Sequence, residues 1–381
     1  MKEIKNNIYY VGVNDYDIDL FEARYPVEKG MAYNSYVILD EKITIIDSVD
    51  VHFKDEWLDS ISKVLKDGVP TYLVVQHVEP DHSGSILAFL QKYPSVTVVG
   101  NKKTFQFLSQ FYGDIKNIYT VNDGDSLNLG THNLKFIFAP MVHWPEVMFT
   151  YEEVDKILFS ADAFGKFGAL DVDEDWACEA RRYYFGIVGK YGLPVQTVLK
   201  KLSSFTIDMI CPLHGPILDD NLSYYLNLYN IWSSYQNEAD GVAVFYTSVY
   251  GNTKKAVDII VDKLQDKGIK VVCFDLVRCD ITEAIEDAFK YSKVIFATTT
   301  YNNDLFPNMN EFLNQLVERN FQNKKVGIVE NGTWAPACDR RIRERLATSK
   351  NISFTSSVKI LSALKESNLE EINKLVEDLI N

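Results

Sequence analysis

Two imidazoles and two carboxylates occur within six residues of one short segment, "TYLVVQHVEPDHSGS". The four residues His77, Glu79, Asp81 and His82 follow an apolar run that is typical of a buried strand. In an extended segment alternate residues point the same way, so His77, Glu79 and Asp81 can share one face. Burying so much polarity without partners costs several kcal/mol, and a bound cation removes that cost.

Three further candidate ligands, His143, Asp162 and His214, follow the apolar runs in "FIFAPMVHWPE", "KILFSADAFG" and "MICPLHGPI". Seven such side chains are enough for two metal ions with Asp162 as a bridge, and too many for one tetrahedral structural zinc. Nitrogen and hard oxygen ligands without thiolate leave iron, zinc and manganese open. The remaining histidines, His52 and His132, have polar neighbours, and we expect them on the surface.

Proline fixes the local conformation in this segment. Pro80 should prevent the preceding residues from continuing as a helix. Asp81 then suits the N-cap of a helix that begins near Ser83, with His82 in its first turn.

Three polar loops in the C-terminal part follow strand-like runs and could hold a phosphorylated, planar ligand. The first loop opens a helix, whose N-terminus binds phosphate without a cationic side chain. Tyr301 and Trp334 are placed to flank a planar ring, although Trp334 also suits a core position beside Pro336. The loop residues are Ser248, Val249, Tyr250, Gly251, Asn252 and Thr253, then Thr300, Tyr301, Asn302 and Asn303, and finally Asn331, Gly332, Thr333 and Trp334.

The order of predicted strands and helices around these residues differs between the two parts of the chain. Short β-rich runs with few helices dominate the first part and predict stacked sheets covered by helices. After a helical segment at 222–240, strands and helices alternate regularly, which predicts a doubly wound parallel sheet. We therefore expect an α+β domain at 1–240 and an α/β domain at 241–381.

Composition narrows the possible partners. The 381 residues carry a formal charge of −14, and residues 1–240 hold 20 basic against 34 acidic side chains, which argues against nucleic acid. There is no apolar run of roughly 20 residues and no signal-like start, so we expect a cytoplasmic protein that is not bound to a membrane. The five cysteines form no C-x-x-C pair, which excludes a rubredoxin-type site or a zinc ribbon in this sequence.

The ligand pattern resembles that of the metallo-β-lactamase superfamily, H-x-H-x-D-H followed by His, Asp and His. Glu79 replaces the second His, and H-x-E-x-D-H resembles the signature of the flavodiiron proteins. The resemblance implies an αββα sandwich with two non-haem iron ions, bridged by Asp162 and an oxo or hydroxo group. It assigns one iron to His77, Glu79, His143 and Asp162, and the other to Asp81, His82, Asp162 and His214.

The segment "TSVYGNT" resembles the phosphate loop of flavodoxin, with Tyr250 in place of the central Thr. This resemblance implies a flavodoxin-like sheet with FMN held by the three loops. Together the two resemblances cover nearly the whole chain in the domain order of flavodiiron proteins.

Membership of that family implies an oxidoreductase that reduces dioxygen to water, nitric oxide to nitrous oxide, or both. It further implies rubredoxin or another redox protein as electron donor, and a head-to-tail homodimer or a dimer of dimers. Tyr25 and Trp144 are weaker candidates for lining the substrate pocket. Two alternatives stay open: a metal-dependent hydrolase with an appended flavodoxin domain, and an electron carrier with a structural metal site.

Overall fold

The computed structural model describes residues 2–381, which form two compact units. The first unit runs up to Tyr184 and includes Leu193–Asn230, and the second joins Phe185–Gly192 to Ile231–Asn381. The sequence-based limits, 1–240 and 241–381, stay our proposal for the two domains.

Two stacked sheets form the centre of the first unit. Its strands are β1 Lys2–Lys5, β2 Ile8–Tyr10, β3 Val13–Asp15, β4 Leu20–Phe21, β5 Tyr25–Pro26, β6 Met31–Tyr33, β7 Tyr36–Ile38, β8 Thr44–Ile46, β9 Tyr72–Val74, β10 Thr97–Gly100, β11 Ile118–Thr120, β12 Ser126–Asn128, β13 Asn133–Phe138, β14 Met148–Glu152, β15 Ile157–Phe159 and β16 Met209–Cys211. One sheet has the order β1-β2-β7-β8-β9-β10-β11 and the other β12-β13-β14-β15-β16, while β3 pairs with β6 and β4 with β5.

Apolar side chains from both sheets meet in one buried cluster. Tyr36 and Val74 come from the seven-stranded sheet, and Phe136 and Phe159 from the five-stranded sheet. Helices accompany these sheets: α1 Lys54–Leu65, α2 Pro80–Ser83, α3 Ile86–Lys92, α4 Lys102–Tyr112, α5 Trp176–Tyr183, α6 Gly192–Leu202 and α7 Leu222–Ser233, with a short 3-10 turn at Val51–Phe53. This is the αββα sandwich expected from the sequence. A π-helical turn at Tyr184–Val188 and a 3-10 turn at Gly189–Tyr191 belong mainly to the second unit.

A parallel sheet forms the second unit. Its strands are β17 Ala239–Tyr246, β18 Val271–Asp275, β19 Tyr291–Tyr301, β20 Asp304–Leu305, β21 Lys324–Asn331 and β22 Ile352–Ile360, and its helices are α8 Asn252–Asp266, α9 Ile281–Lys290, α10 Pro307–Glu318, α11 Cys338–Arg345 and α12 Ser367–Ile380. The order β18-β17-β19-β21-β22 is parallel throughout, and β20 adds an antiparallel pair to β19. This is the flavodoxin-like order 2-1-3-4-5, so the predicted fold class is confirmed for both parts.

Lys324 is a buried cation at the start of β21. Its ammonium group donates hydrogen bonds to Asn237 Oδ1 at 2.6 Å, Phe289 O at 2.7 Å and Tyr291 O at 2.6 Å. Burial lowers the pKa of Lys324 to about 7. The side chain thus ties three segments of the second unit together.

Two local expectations are wrong. Asp81 is not an N-cap: α2 already begins at Pro80, with Glu79 as its N-cap, because proline is well accommodated in a first helical turn. His132 is not on the surface: it is 3% exposed, because it lies against Glu152 at the end of β14. No helix within residues 2–381 has both the length and the apolar character required to cross a bilayer.

Candidate functional site

Strand ends of the first unit carry all seven candidate metal ligands. The parallel strands β15 and β16 place Asp162 and His214 near one edge of their sheet. His77 and Glu79 follow β9, and Asp81 and His82 lie in α2. His143 occupies the loop between β13 and β14. The side chains of Glu79 and Asp81 are 15% and 12% exposed, and the other five are more deeply buried.

Four of the seven residues form a first ligand group. Glu79 Oε2 lies 3.2 Å from His77 Nε2 and 3.0 Å from His143 Nε2. Asp162 Oδ2 lies 3.5 Å from the same nitrogen of His77 and 3.1 Å from that of His143. Two nitrogens and two carboxylate oxygens therefore surround a common point.

The other three residues form a second group beside it. His82 Nε2 lies 2.9 Å from His214 Nε2, and Asp81 Oδ2 lies 3.1 Å and 3.2 Å from these two nitrogens. Asp162 Oδ1 faces this group, 3.3 Å from His82 Nε2 and 3.9 Å from His214 Nε2. Each oxygen of the Asp162 carboxylate is therefore directed at a different group.

These donors fit a pair of metal ions. Two ligand atoms about 2.1 Å from one ion lie roughly 3.0 to 3.4 Å apart, and most of the separations above fall in or near that range. Both oxygens of Asp81 and of Asp162 are buried, and the polar groups that face them are the imidazole nitrogens of the other ligands. Buried anionic oxygens of this kind are stabilised by bound cations.

The electrostatics of the cluster favour positive charge. Burial opposes ionisation of Asp162, but the charge of His77 and hydrogen bonds from His143 and His82 outweigh it and hold the pKa of the carboxyl well below its usual range. Burial also lowers the pKa of His82, yet the carboxylates of Asp81 and Asp162 raise it to about 10. Metal binding therefore has to displace protons from the imidazoles, so it should strengthen as pH rises.

Hydrogen bonds outside the ligand groups orient two of the imidazoles. His77 Nδ1 donates to Glu146 Oε1 at 2.8 Å, and His214 Nδ1 donates to Ala32 O at 2.8 Å. Each bond fixes the tautomer that leaves Nε2 facing the ligand group. Glu146, which is 1% exposed, also accepts from Val78 N at 3.0 Å. The sequence reasoning missed Glu146, whose only signal is an acid three residues after His143 in "HWPE".

The two weaker candidates differ in position. The Trp144 ring lies 5.2 Å from the His77 ring and 6.1 Å from the His143 ring, so it adjoins the first group. Tyr25 is buried and packs 5.4 Å from Phe167, which is the contact expected of a packing residue.

Tyr183 was not predicted, although it lies close to the second group. Its ring is 5.5 Å from that of His214. Its hydroxyl is buried and finds no hydrogen-bond partner among residues 2–381. Burial, together with the charges of Asp162 and Asp81, raises the pKa of Tyr183 well above its usual value. Its hydroxyl therefore keeps its proton and can donate a hydrogen bond to a bound molecule.

The predicted loops of the second unit enclose a cavity of about 640 Å³, within the range usual for cofactor sites. All the predicted loop residues line it except Gly251, and Thr299, Ala335, Ser362 and Ala363 line it as well. Ser362 and Ala363 were missed because they follow β22, for which no strand was predicted.

One end of the cavity suits phosphate and the other a flat ring. Gly251 adopts φ +85° as the N-cap of the 15-residue helix α8, and Ser248 Oγ accepts hydrogen bonds from Gly251 N at 3.1 Å and Lys254 N at 3.3 Å. Such a helix start binds phosphate. Trp334 is 88% exposed and Tyr301 47%, so both aromatic faces are available to a ligand, and Trp334 is not the core aromatic of the alternative interpretation.

Comparisons with known proteins agree with this pairing of sites. A family described as "ODP family beta lactamase" matches residues 31–215, and one described as "Flavodoxin" matches residues 244–350. An uncharacterised protein of Methanocaldococcus jannaschii is 33% identical over 82% of this chain and 80% of its own length. The anaerobic nitric oxide reductase flavorubredoxin of Aliivibrio fischeri is 30% identical over 90% of this chain and 72% of its own.

Among solved structures, the flavodiiron protein of Giardia intestinalis is 28% identical with a TM-score of 0.91, covering 99% of this chain and 95% of its own. Fold and sites together define a β-lactamase-type metal domain joined to a flavodoxin-type flavin domain. The chain belongs to the flavodiiron protein family, a family of oxidoreductases. Its cofactors are FMN and a pair of non-haem iron ions, which match the cavity and the two ligand groups.

Proposed function

We propose that this protein reduces dioxygen to water, nitric oxide to nitrous oxide, or both, at the iron pair, with electrons supplied through FMN. The observation that carries the proposal is the Asp162 carboxylate, whose two oxygens face two separate ligand groups. A carboxylate in this position can hold two ions at once, which is what a reaction at both ends of a diatomic molecule requires. The name of the Aliivibrio relative supports nitric oxide as a substrate.

We assign the ligands as the geometry groups them. His77, Glu79 and His143 would hold one iron, Asp81, His82 and His214 the other, and Asp162 would bridge them. Glu79 supplies an anionic oxygen where a hydrolase of the metallo-β-lactamase type has a third imidazole, and an added anionic ligand favours ferric iron. For this reason, and because a hydrolase does not need a flavin, we do not favour the hydrolase alternative.

When bound, the iron pair would supply two electrons and FMN two more, which together match the four electrons that dioxygen needs to become water, while two molecules of nitric oxide need only two. The side chains of the protein prepare the site for this reaction. Glu146 keeps Nε2 of His77 turned inward. The Tyr183 hydroxyl, which retains its proton, donates a hydrogen bond to the bound molecule. Burial of the ligand residues excludes bulk water and strengthens each of these interactions.

In the second unit we assign the phosphate of FMN to the start of α8, near Ser248 and Thr253. The ring would lie between Tyr301 and Trp334, whose exposed faces line the same cavity. Asn302 and Asn331 would address its polar edge.

We further propose a head-to-tail homodimer, or a dimer of dimers, in which the flavin of one chain lies beside the irons of the other. Rubredoxin or another redox protein would reduce FMN, and the protein would act in the cytoplasm. Sedimentation should show a dimer. A monomer that keeps full activity on dilution would contradict the assembly.

The deciding experiment is steady-state consumption of each gas by the iron- and FMN-loaded protein, with a reduced rubredoxin or flavoprotein as electron donor. Iron content and the visible spectrum are measured on the same sample. We expect two irons per chain, a bound yellow flavin and donor-dependent consumption of at least one gas. His52→Asn, which changes an exposed histidine paired with Asp50, should retain this activity. A single zinc, or turnover of neither gas, would contradict the proposal.

A further inference from the structure

A second cluster of ligand-type side chains lies at the other ends of the strands that lead to the iron ligands. His132 precedes β13, Glu152 ends β14 and Asp155 lies in the turn before β15. At their far ends β13 leads to His143 and β15 to Asp162. The six-residue strand β13 spans about 20 Å, so this cluster is separate from the candidate iron pair.

All three side chains are buried and converge. The exposed fractions of His132, Glu152 and Asp155 are 3%, 0% and 6%. His132 Nδ1 lies 3.2 Å from Glu152 Oε1, and one nitrogen and one oxygen from each carboxylate all lie within 4.8 Å of one another. One imidazole and two carboxylates thus face a common centre.

The hydrogen bonds around the cluster leave its ligand atoms directed inward. His132 Nε2 donates to Asn6 O at 3.0 Å, so in the neutral ring Nδ1 carries the lone pair that faces the carboxylates. A histidine that ligates a metal typically donates its other ring N–H to a backbone carbonyl in this way. Asp155 Oδ1 accepts from Asn6 Nδ2 at 2.5 Å, whereas Oδ2 is buried with no hydrogen-bond partner among residues 2–381.

Backbone contacts hold the cluster in shape. Glu152 accepts hydrogen bonds from Val154 N at 3.0 Å and Asp155 N at 2.6 Å, and Asp40 accepts from His132 N at 2.6 Å. Asn6 and Asp40 belong to turns of the seven-stranded sheet, and the three ligand residues belong to the five-stranded sheet. Hydrogen bonds that join His132 and Asp155 to Asn6 and Asp40 connect the two sheets, so an ion at the centre would hold the side chains that make this connection.

The charge of the two carboxylates in the cluster is not balanced by a lysine or an arginine. Within the described chain, neither Glu152 nor Asp155 forms an ion pair with a lysine or an arginine, and Lys5 reaches only the backbone oxygen of Asp155, at 3.5 Å. A polar cavity of about 460 Å³, lined by Asn6, Asp40, His132 and Asp155 among others, adjoins the cluster. It has room for water molecules that would complete a coordination shell.

We propose that His132, Glu152 and Asp155 form a further cation site, which binds one divalent transition-metal ion of the zinc or manganese type. One imidazole with two carboxylates is a ligand set that both ions accept, and a calcium site would lack the imidazole. The ion holds the side chains whose hydrogen bonds connect the two sheet edges, and it takes no part in electron transfer. The site is independent of the function proposed above.

The test is a zinc titration of the iron- and FMN-loaded protein, in which bound zinc and retained iron are counted by elemental analysis after gel filtration. Counting iron on the same sample separates binding at the new site from displacement at the iron pair. In the wild type we expect one bound zinc per chain without loss of iron. In His132→Gln or Asp155→Asn we expect no bound zinc. His52→Gln, an exposed histidine whose Nδ1 lies 2.6 Å from Asp50, is the matched control and should still bind one zinc.

Zinc that is absent from the wild type, or that persists in Asp155→Asn, would overturn the proposal. The first result would indicate that His132 is protonated and forms an ion pair with Glu152. If the His132 variant fails to fold, two other measurements test the site. These are zinc binding by the nearly isosteric Asp155→Asn protein and anomalous diffraction from zinc-treated wild-type crystals. A peak among the three side chains supports the site, and no peak there refutes it.

Discussion

Substitution of Glu146 tests most directly whether a hydrogen bond to His77 strengthens iron binding. Its buried carboxylate accepts hydrogen bonds from His77 Nδ1 at 2.8 Å and from Val78 N at 3.0 Å. Glu146→Ala removes Oε1, the single oxygen that accepts both hydrogen bonds, and frees the imidazole of His77 to rotate or change tautomer. Glu146→Gln keeps one acceptor oxygen but removes the negative charge that makes the imidazole a stronger ligand.

The expected magnitude follows from what each variant removes. Loss of a partner that orients a metal-ligating histidine typically weakens metal affinity about 10- to 100-fold, or roughly 1.4 to 2.7 kcal/mol. We expect Glu146→Gln near the lower limit and Glu146→Ala near the upper one. Glu146→Ala should also cost about 1 to 3 kcal/mol of unfolding free energy, because the two buried N–H groups lose their acceptor.

The assay is the iron content per chain at equilibrium with graded concentrations of a competing chelator, without oxygen, with FMN absorbance as an internal reference. Glu153→Gln is the control, since Glu153 is exposed and its carboxylate accepts a hydrogen bond from the side chain of Asn133, away from the iron ligands. Wild-type iron affinity in a folded Glu146→Ala protein would refute the reasoning. Equal losses in the Glu146→Gln and Glu153→Gln proteins would show a nonspecific effect.

Three other predictions concern single residues. Asp162→Ala should lose both irons and keep FMN, because this carboxylate faces both groups, and two irons per chain in the variant would contradict the bridge. Ser248→Ala should weaken FMN binding about tenfold by removing the acceptor for Gly251 N and Lys254 N, and an unchanged dissociation constant by flavin fluorescence would count against the phosphate assignment. Because burial lowers the pKa of Lys324 from about 10.4 in an unfolded chain to about 7, the unfolded state binds more protons between these values. Raising the pH from 7 to 10 should therefore increase the unfolding free energy of the wild type, relative to that of Lys324→Met, by up to about 4 kcal/mol. The measurement is chemical denaturation monitored by the release of FMN. Unfolding free energies that change with pH in the same way in both proteins would contradict this prediction.

The ligand-bearing strand ends could be predicted because burial leaves a strong sequence signal. The runs before His77, His143 and Asp162 are apolar enough to indicate core strands; β9 and β15 lie inside their runs, and β13 overlaps its run. A polar side chain directly after such a run is costly to bury unless it binds a partner, so several of them together indicate a bound ion. The alternation of β17 to β21 with α8 to α10 was predictable for a related reason, since each long element there is strongly periodic.

Other features depend on tertiary contacts that no local pattern records. Strands β1 to β6 are short, at most four residues each, and their pairing comes from the sheets they join. The burial of His132 depends on Glu152, twenty residues away in sequence, and the role of Glu146 depends on His77, which is farther still. The start of α2 was not predicted, because proline excludes a helix that continues through it but is well tolerated as a first helical residue.

The change from extended chain to helix at Pro80 limits which sequence changes the iron site can accept. His77 and Glu79 lie before the proline and serve one ligand group, while Asp81 and His82 lie after it and serve the other. Only six consecutive residues thus set the relative placement of both halves of the centre. A one-residue insertion anywhere between His77 and His82 would shift one half against the other, so we expect this stretch to tolerate substitution at Val78 far better than any change in length.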